Sequence, residues 1–408
     1  MKILFLHPNM PGQYKHLARH YGASGEHEVV FITKHKTAEI PGVKRITYGI
    51  TRKPTQGIHR YLARAEHAVI QGQHVWRVCK QLKDEGFTPD IVIGHPGWGD
   101  ALFIKEIFPS TPLLSFFEFY YRAHGADVGF DPSYPVNEDD LARIRMKNIV
   151  NQVSLEISDA GVSPTQWQWS LHPKEFQPKI HVLHDGIDTD ICVPNPTAIF
   201  RTPSGKEFKR GDEVVTYIAR NFEPYRGFPT FMKAAEILLR ERPNLHIIAI
   251  GADGVSYGQR ASEGKSYREI WSEQVSLDAT RIHWCGTVPY EQLLKAFNVS
   301  AAHIYLTYPF VLSWSMMEAM SCGVPLVASD TAPVREVVQH EQQGLLVDFF
   351  SPEQLAASCI RLLDDKPLAE RLRRSARETI VQHYALKDLL PKHVALVDQV
   401  VARGPIAL

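Results

Sequence analysis

An α/β fold built from two successive Rossmann-like domains is predicted by three features of this sequence. Short apolar runs alternate with helical stretches along nearly the whole chain. The alternation occurs as two separate series. Between them lies a segment, 192–211, that is rich in Pro, Thr, Ser and Gly and carries no periodicity. Strands that alternate with helices form parallel sheets covered on both faces. The expected domains are therefore 1–188 and 189–385, followed by a last amphipathic segment, 386–408.

Taken in order, the first series has buried-strand patterns at Ile3–Leu6, Val29–Ile32, Ile91–Gly94, Leu113–Phe117, Ala160–Ser163 and Ile180–Leu183. Helical spacing fills 12–22, 57–85, 98–107 and 138–157. The second series has strands at Val214–Ile218, Leu245–Ile250, Ile282–Cys285, Ala301–Leu306, Leu326–Ala328 and Leu345–Val347. Its helices fall near 228–241, 266–276, 290–298, 313–321, 352–364 and 368–384. Leu386–Val401 is a final amphipathic helix.

Composition narrows the function. At 408 residues, 44% hydrophobic and 22% charged, the chain can build sizeable cores. Lys plus Arg equals Asp plus Glu at 45 each, and the isoelectric point is about 7.3. That balance argues against a general nucleic-acid binder. The five cysteines are scattered without a C-x-x-C pair, which favours reduced thiols and the cytoplasm. The apolar start is too short for a signal peptide, and no run of about 18 apolar residues predicts a spanning helix. The stretch 57–85 carries Arg60, Arg64, Arg77, Lys80 and Lys83 with three histidines. It reads as a solvated face or as peripheral contact with an anionic inner membrane surface.

The densest information lies in 304–348. Tyr308-Pro309 ends a strand, Ser313 precedes a helix, Cys322-Gly323 stops it and Pro325 bars its continuation. Glu318 is the charged group in this apolar helix, so it requires a partner or a cleft. A helix start beside the carboxyl end of a strand binds phosphate well. The strand Val214–Ile218 runs into Arg220 and Arg226, six residues apart and before a helix. Two guanidiniums there suit a diphosphate, or are two ordinary surface arginines.

Other turns carry weaker signals. Pro11-Gly12 before the first helix allows close backbone approach to an anion, or is a plain βα turn. The glycine-rich loop Ile93–Asp100 joins strand to helix. Glu118 ends an aromatic strand and His124 comes six residues later; either can contact a reacting group, or Glu118 pairs with Arg122 and His124 packs in its loop. His16 and His20 lack a third ligand, and no metal site is expected. G-x-G-x-x-G and G-x-S-x-G are both absent.

These residues together resemble the family-4 glycosyltransferases of the GT-B fold, over nearly the whole chain and most strongly over 212–350. Ala219-Arg220 and Arg226-Gly227 stand where that family has Gly-Arg and Lys-Gly. Ile282-His-Trp-Cys-Gly286-Thr-Val288 matches its next marker. Glu318-Ala-Met-Ser-Cys-Gly323-Val-Pro325 matches the second half of its Glu-x7-Glu motif, and Ala332–Glu336 and Gly344–Asp348 match the family's usual continuation of that motif. The first Glu of the motif falls at Phe310, and Val311-Leu312-Ser313-Trp314 replaces a Gly-Phe-Gly-Leu run. The family's histidine after the fourth strand has no match; Glu118 stands nearest in register and His124 six residues on.

The resemblance implies two parallel-sheet domains facing across a cleft, hinged near Gly186, with 386–408 returning to the first domain. It implies transfer of a sugar from a nucleoside-diphosphate sugar, with retention at the anomeric carbon and without metal or other cofactor. Arg220 and Arg226 would neutralise the leaving diphosphate, with Gly12 and backbone donors at Ser313-Trp314 nearby. Glu318 would hold the ribose, Gly286–Val288 the base, and Phe310 would form an apolar wall or a backbone contact. Glu118 and His124 are the candidates nearest the reacting sugar. The acceptor, whether glycan, lipid-linked or protein, is unassigned. The rival readings are a non-catalytic sugar-nucleotide binder and another GT-B enzyme such as an epimerase.

Overall fold

The computed structural model describes residues 1–35, 38–261 and 264–406. The chain divides into two units. One comprises Met1–Gly186 with Lys387–Leu408, the other Ile187–Leu386.

The first unit is built on seven parallel strands: β1 (Lys2–Leu6), β2 (Glu28–Thr33), β3 (Val43–Thr47), β4 (Ile91–Gly94), β5 (Leu113–Phe116), β6 (Ala160–Ser163) and β7 (Ile180–Val182). Their order is 3-2-1-4-5-6-7. The period of two along a strand explains why β1 is apolar throughout. Ile3 and Phe5 pack with Leu17 and Ala18 of the helix Lys15–Ser24. Leu4 and Leu6 face the other way, onto Val75, Cys79 and Leu82 of the helix Ala63–Asp84. The last helix, Leu386–Arg403, adds Leu396, Val397 and Val400 to the first of these cores. That burial attaches the carboxyl terminus to this unit.

The second unit opens with an antiparallel pair, β8 (Ile199–Arg201) and β9 (Glu207–Lys209). Six parallel strands come after it: β10 (Val214–Asn221), β11 (His246–Ala252), β12 (Ile282–Trp284), β13 (Ala302–Tyr305), β14 (Leu326–Ser329) and β15 (Leu345–Val347). They run in the order 12-11-10-13-14-15. Among the described residues no helix is long and apolar enough to cross a membrane. The five cysteines are free and buried.

Several expectations from the sequence need amendment. β3 is absent from them because it is an edge strand whose residues are half-buried or exposed, so it lacks an apolar run. The aperiodic segment 192–211 contains the β8–β9 pair, in which only the central residues Phe200 and Phe208 are buried. The helix expected over 98–107 shrinks to a 3-10 turn at Pro96–Trp98 and one turn at Ile104–Ile107. The helix over 138–157 breaks into Glu138–Lys147 and Ile149–Ile157. At the break, Asn148 turns its amide onto the backbone of Tyr121, accepting from its N–H at 3.0 Å and donating to its C=O at 2.7 Å. The basic stretch is also not a uniform cationic face. Arg60 pairs with Asp139, Lys80 with Asp84, and Lys83 donates to the Ile107 carbonyl.

Candidate functional site

In an open parallel sheet, ligands bind beyond the carboxyl ends of the strands where the strand order reverses. That point lies between β1 and β4 in the first unit and between β10 and β13 in the second. Both places are lined with polar and charged side chains.

In the second unit β10 loses register with β11 between Ile218 and Asn221. The irregularity leaves Arg220 exposed at the strand's end. The chain then forms a 3-10 turn, Pro224–Arg226, and enters the helix Phe228–Glu241 through Gly227. Gly227 has φ +66°, and a Cβ there would lie 2.5 Å from the Leu306 side chain, so only glycine fits. This turn buries Arg226 against the segment after β13. Its Nη1 donates to Thr307 Oγ1 at 2.7 Å, to the Tyr305 hydroxyl at 3.2 Å and to the Val311 carbonyl at 3.2 Å. The Tyr257 ring centroid is 5.2 Å from its guanidinium carbon. Burial works against the charge of Arg226, but Tyr305, Tyr257 and Glu223 more than offset it and raise its pKa.

Among the described residues no carboxylate pairs with Arg226 at ion-pair distance. The nearby Glu223 is fully buried, and its carboxylate accepts the N–H groups of Ser256, Tyr257 and Gly258, each at 3.0 Å. A buried guanidinium held by neutral oxygens is a site prepared for an anion.

Phe310 is buried in an aromatic group, 5.4 Å from Tyr225 and 5.0 Å from Tyr257 between ring centroids. Ser313 caps the helix Trp314–Ser321, but its N–H is already donated to the Tyr305 hydroxyl at 2.8 Å. That donor, expected to face a phosphate, is thus engaged within the protein. Trp314 is exposed beside it. Glu318 is half-buried, and one of its oxygens accepts from the Tyr290 hydroxyl at 2.8 Å. Gly286 is exposed with φ +60° after β12, and its carbonyl accepts from the Gly251 N–H at 3.0 Å. Val288 packs on the core beneath.

In the first unit the reversal point gathers His7 after β1, His95 after β4 and Glu118 after β5. Gly12, with φ +52°, lets the chain turn against the imidazole of His7; a Cβ would lie 2.6 Å from that ring. His7 Nδ1 accepts from the Asn9 N–H at 2.9 Å, which assigns the ring proton to Nε2. Nε2 then donates to Gln13 Oε1 at 2.9 Å, and the Gln13 amide donates to Glu118 Oε1 at 2.9 Å. His95 Nδ1 accepts from the Gly97 N–H at 3.0 Å, so its Nε2 also carries the proton. That buried Nε2 makes no hydrogen bond, and Glu118 Oε2 is 3.8 Å away. Burial pushes His7 down to about 4; burial and then the neighbouring His7 hold His95 well below its usual value. Both rings are therefore neutral donors near pH 7. Trp98 lies against them, 4.9 and 4.7 Å away between centroids.

Glu118 does not pair with Arg122, whose Nε donates to the Leu171 carbonyl at 2.6 Å. His124 is exposed in the loop beyond and takes no part in this group. The imidazole beside Glu118 is that of His95. In the sequence, the His95 loop stands out only for its glycines, and Glu223, between the two arginines, does not stand out at all. The available signal is position: both lie directly after a strand that borders the order reversal.

The matches to known proteins agree with this division. Residues 25–192 match the glycosyl transferase family 4 group, and residues 201–379 match the glycosyl transferases group 1. A D-inositol 3-phosphate glycosyltransferase of Thermobispora bispora is 24% identical over 188 residues, 46% of this chain and 43% of that one. The chain thus spans less than half the length of that relative. Among solved structures, a sucrose-phosphate synthase of Thermosynechococcus elongatus superposes with a TM-score of 0.72 at 16% identity, covering 99% of this chain and 100% of that one. HepE of Anabaena in complex with UDP-glucose superposes at 0.68 with 15% identity, covering 98% and 100%.

Proposed function

Because this chain belongs to the glycosyl transferases of the GT-B fold, with a family 4 group half followed by a group 1 half, we propose that it moves a sugar from a nucleoside-diphosphate sugar to an acceptor hydroxyl. The observation that carries the donor assignment is Arg226, a buried cation without a carboxylate partner at the strand-order reversal of the second unit. Arg220 stands at the same strand end. The bond between the anomeric carbon and the diphosphate breaks with its electron pair going to a phosphate oxygen. Fixed guanidiniums stabilise that developing charge without reorganising. The charge is supplied by arginine, so the reaction as proposed needs no divalent ion. Retention of configuration is inferred from family membership alone.

The first unit is assigned the acceptor. His95, neutral and with the proton on Nε2, can donate to a sugar hydroxyl while Glu118 accepts, and the His7 proton is held by Gln13. Trp98 offers an apolar face to a pyranose ring.

Binding is tested by thermal shift against a panel of nucleoside-diphosphate sugars. A ligand at a hundred times its Kd should stabilise the protein by about 2.7 kcal/mol. A flat response across uridine, guanosine and adenosine diphosphate sugars would overturn the donor reading. Release of nucleoside diphosphate from the selected donor separates an enzyme from a binding protein.

Glu318 gives a sharper test. It is assigned to ribose hydroxyls. Glu318→Gln is expected to fold normally and to weaken nucleotide binding about tenfold, since a charged acceptor is lost. A lower melting temperature with unchanged affinity by calorimetry would give Glu318 an internal structural role and remove the ribose assignment.

A further inference from the structure

The first unit holds a cavity of about 300 Å3 whose wall includes Arg64, Tyr121, Lys147, His95 and Glu118. It is bordered by the helices Ala63–Asp84 and Glu138–Lys147 and by the segment after β5. Two cations meet there around one ring. Lys147 Nζ lies 3.3 Å from the Tyr121 centroid, and the Arg64 guanidinium carbon lies 6.0 Å from it. The Tyr121 backbone is fixed by two hydrogen bonds with the amide of Asn148, the residue next to Lys147. Among the described residues, neither Arg64 nor Lys147 forms an ion pair. Burial, and then the charge of Arg64, push Lys147 down to about 7, with Asp127 acting the other way. Two like charges held together by the fold, with no carboxylate at ion-pair distance, are a cost that a bound anion removes. In the lining of the same cavity the buried His95 Nε2 lacks a hydrogen-bond partner, and Glu118 supplies a carboxylate.

We propose that the acceptor of this transferase carries a phosphate group, and that Arg64 and Lys147 hold that group beside Tyr121. The proposal rests on the transferase reading for the word acceptor, but the anion subsite itself does not depend on it. In this proposal Arg64 and Lys147 take the phosphate, and His95 and Glu118 serve the hydroxyl-bearing part of the molecule. Arg gives a planar fork and Lys a point charge, the pair commonly used for phosphate oxygens. The phosphate belongs either to a soluble sugar or polyol phosphate or to a lipid headgroup.

The probes are glycerol 1-phosphate and glycerol, titrated calorimetrically into the full chain with the nucleoside diphosphate chosen by the thermal panel already bound. Parallel pelleting uses phosphatidylcholine vesicles with and without phosphatidylglycerol. The expected result is binding of the phosphate and not of glycerol, weakened at least tenfold by Arg64→Gln and by Lys147→Met. The first changes an exposed side chain, and the second keeps the packed stem over Tyr121. Dependence on both residues in the soluble arm identifies a soluble phosphate; dependence in the vesicle arm alone identifies a headgroup. Either outcome supports the subsite. Phosphate binding that is equal in wild type and both variants, or no binding in either arm, overturns it. Nucleoside diphosphate affinity should be unchanged in both variants. Absence of nucleotide binding by the wild type is a separate failure, that of the donor reading, and leaves the phosphate arms readable without nucleotide.

Discussion

Arg226→Met is expected to weaken nucleoside diphosphate binding about ten- to a hundredfold while leaving the second unit folded. The figure corresponds to the roughly 1.5–3 kcal/mol carried by a charged hydrogen bond. Met retains much of the buried stem volume, and the groups released, Thr307 Oγ1, the Tyr305 hydroxyl and the Val311 carbonyl, are neutral. Loss of affinity would therefore come from the missing charge. Arg220→Ala, at an exposed position, should act in the same direction with a smaller effect that fades as salt is added. Calorimetry at two ionic strengths measures both. Wild-type affinity in Arg226→Met would remove the diphosphate assignment.

The second large effect is expected at Glu223. Its carboxylate is fully buried and satisfies three consecutive backbone N–H groups at Ser256, Tyr257 and Gly258. Glu223→Ala takes the acceptor from these part-buried donors, at about 1–3 kcal/mol for each group that water does not reach. The melting temperature should fall by on the order of 10 °C. Nucleotide affinity should fall with it, because the same loop carries Tyr257, whose ring lies 5.2 Å from the Arg226 guanidinium carbon. Glu223→Gln, which still offers a carbonyl oxygen, should recover part of both. An unchanged melting curve for Glu223→Ala would show that solvent reaches these amides and that the loop is not held by this residue.

Both positions show how differently the parts of the site are written in the sequence. Arg226 is visible because charge after an apolar strand and before a helix is a local pattern. Glu223 lies three residues away and is buried, yet nothing in its neighbours tells a buried carboxylate from a solvated one in a loop. Its partners are more than thirty residues distant, after a different strand. His95 is equally hidden. Its loop stands out for Gly94, Gly97 and Gly99, while the carboxyl end of β5 points to Glu118 and to His124. The nearest imidazole in sequence is exposed; the one in contact range comes from the neighbouring strand.

The sequence by itself determined the α/β class and the identity of the buried strands, because full burial on both faces demands continuous apolar runs such as Ile3–Leu6 and Val214–Ile218. It also pointed to the two arginines at and beyond the end of β10 and to the glycine that lets Arg226 turn inward. It left β3 and the β8–β9 pair unreadable, since edge and surface strands bury too little to leave a pattern. Only the tertiary structure decided which loops meet. The strand orders 3-2-1-4-5-6-7 and 12-11-10-13-14-15 bring the ends of β1 and β4, and of β10 and β13, side by side. Hydrogen bonds such as Arg226 to Thr307 therefore join residues 81 positions apart. Sheet order is set by how helices cover both faces of the whole sheet, a property of the packed domain that no local window of sequence contains.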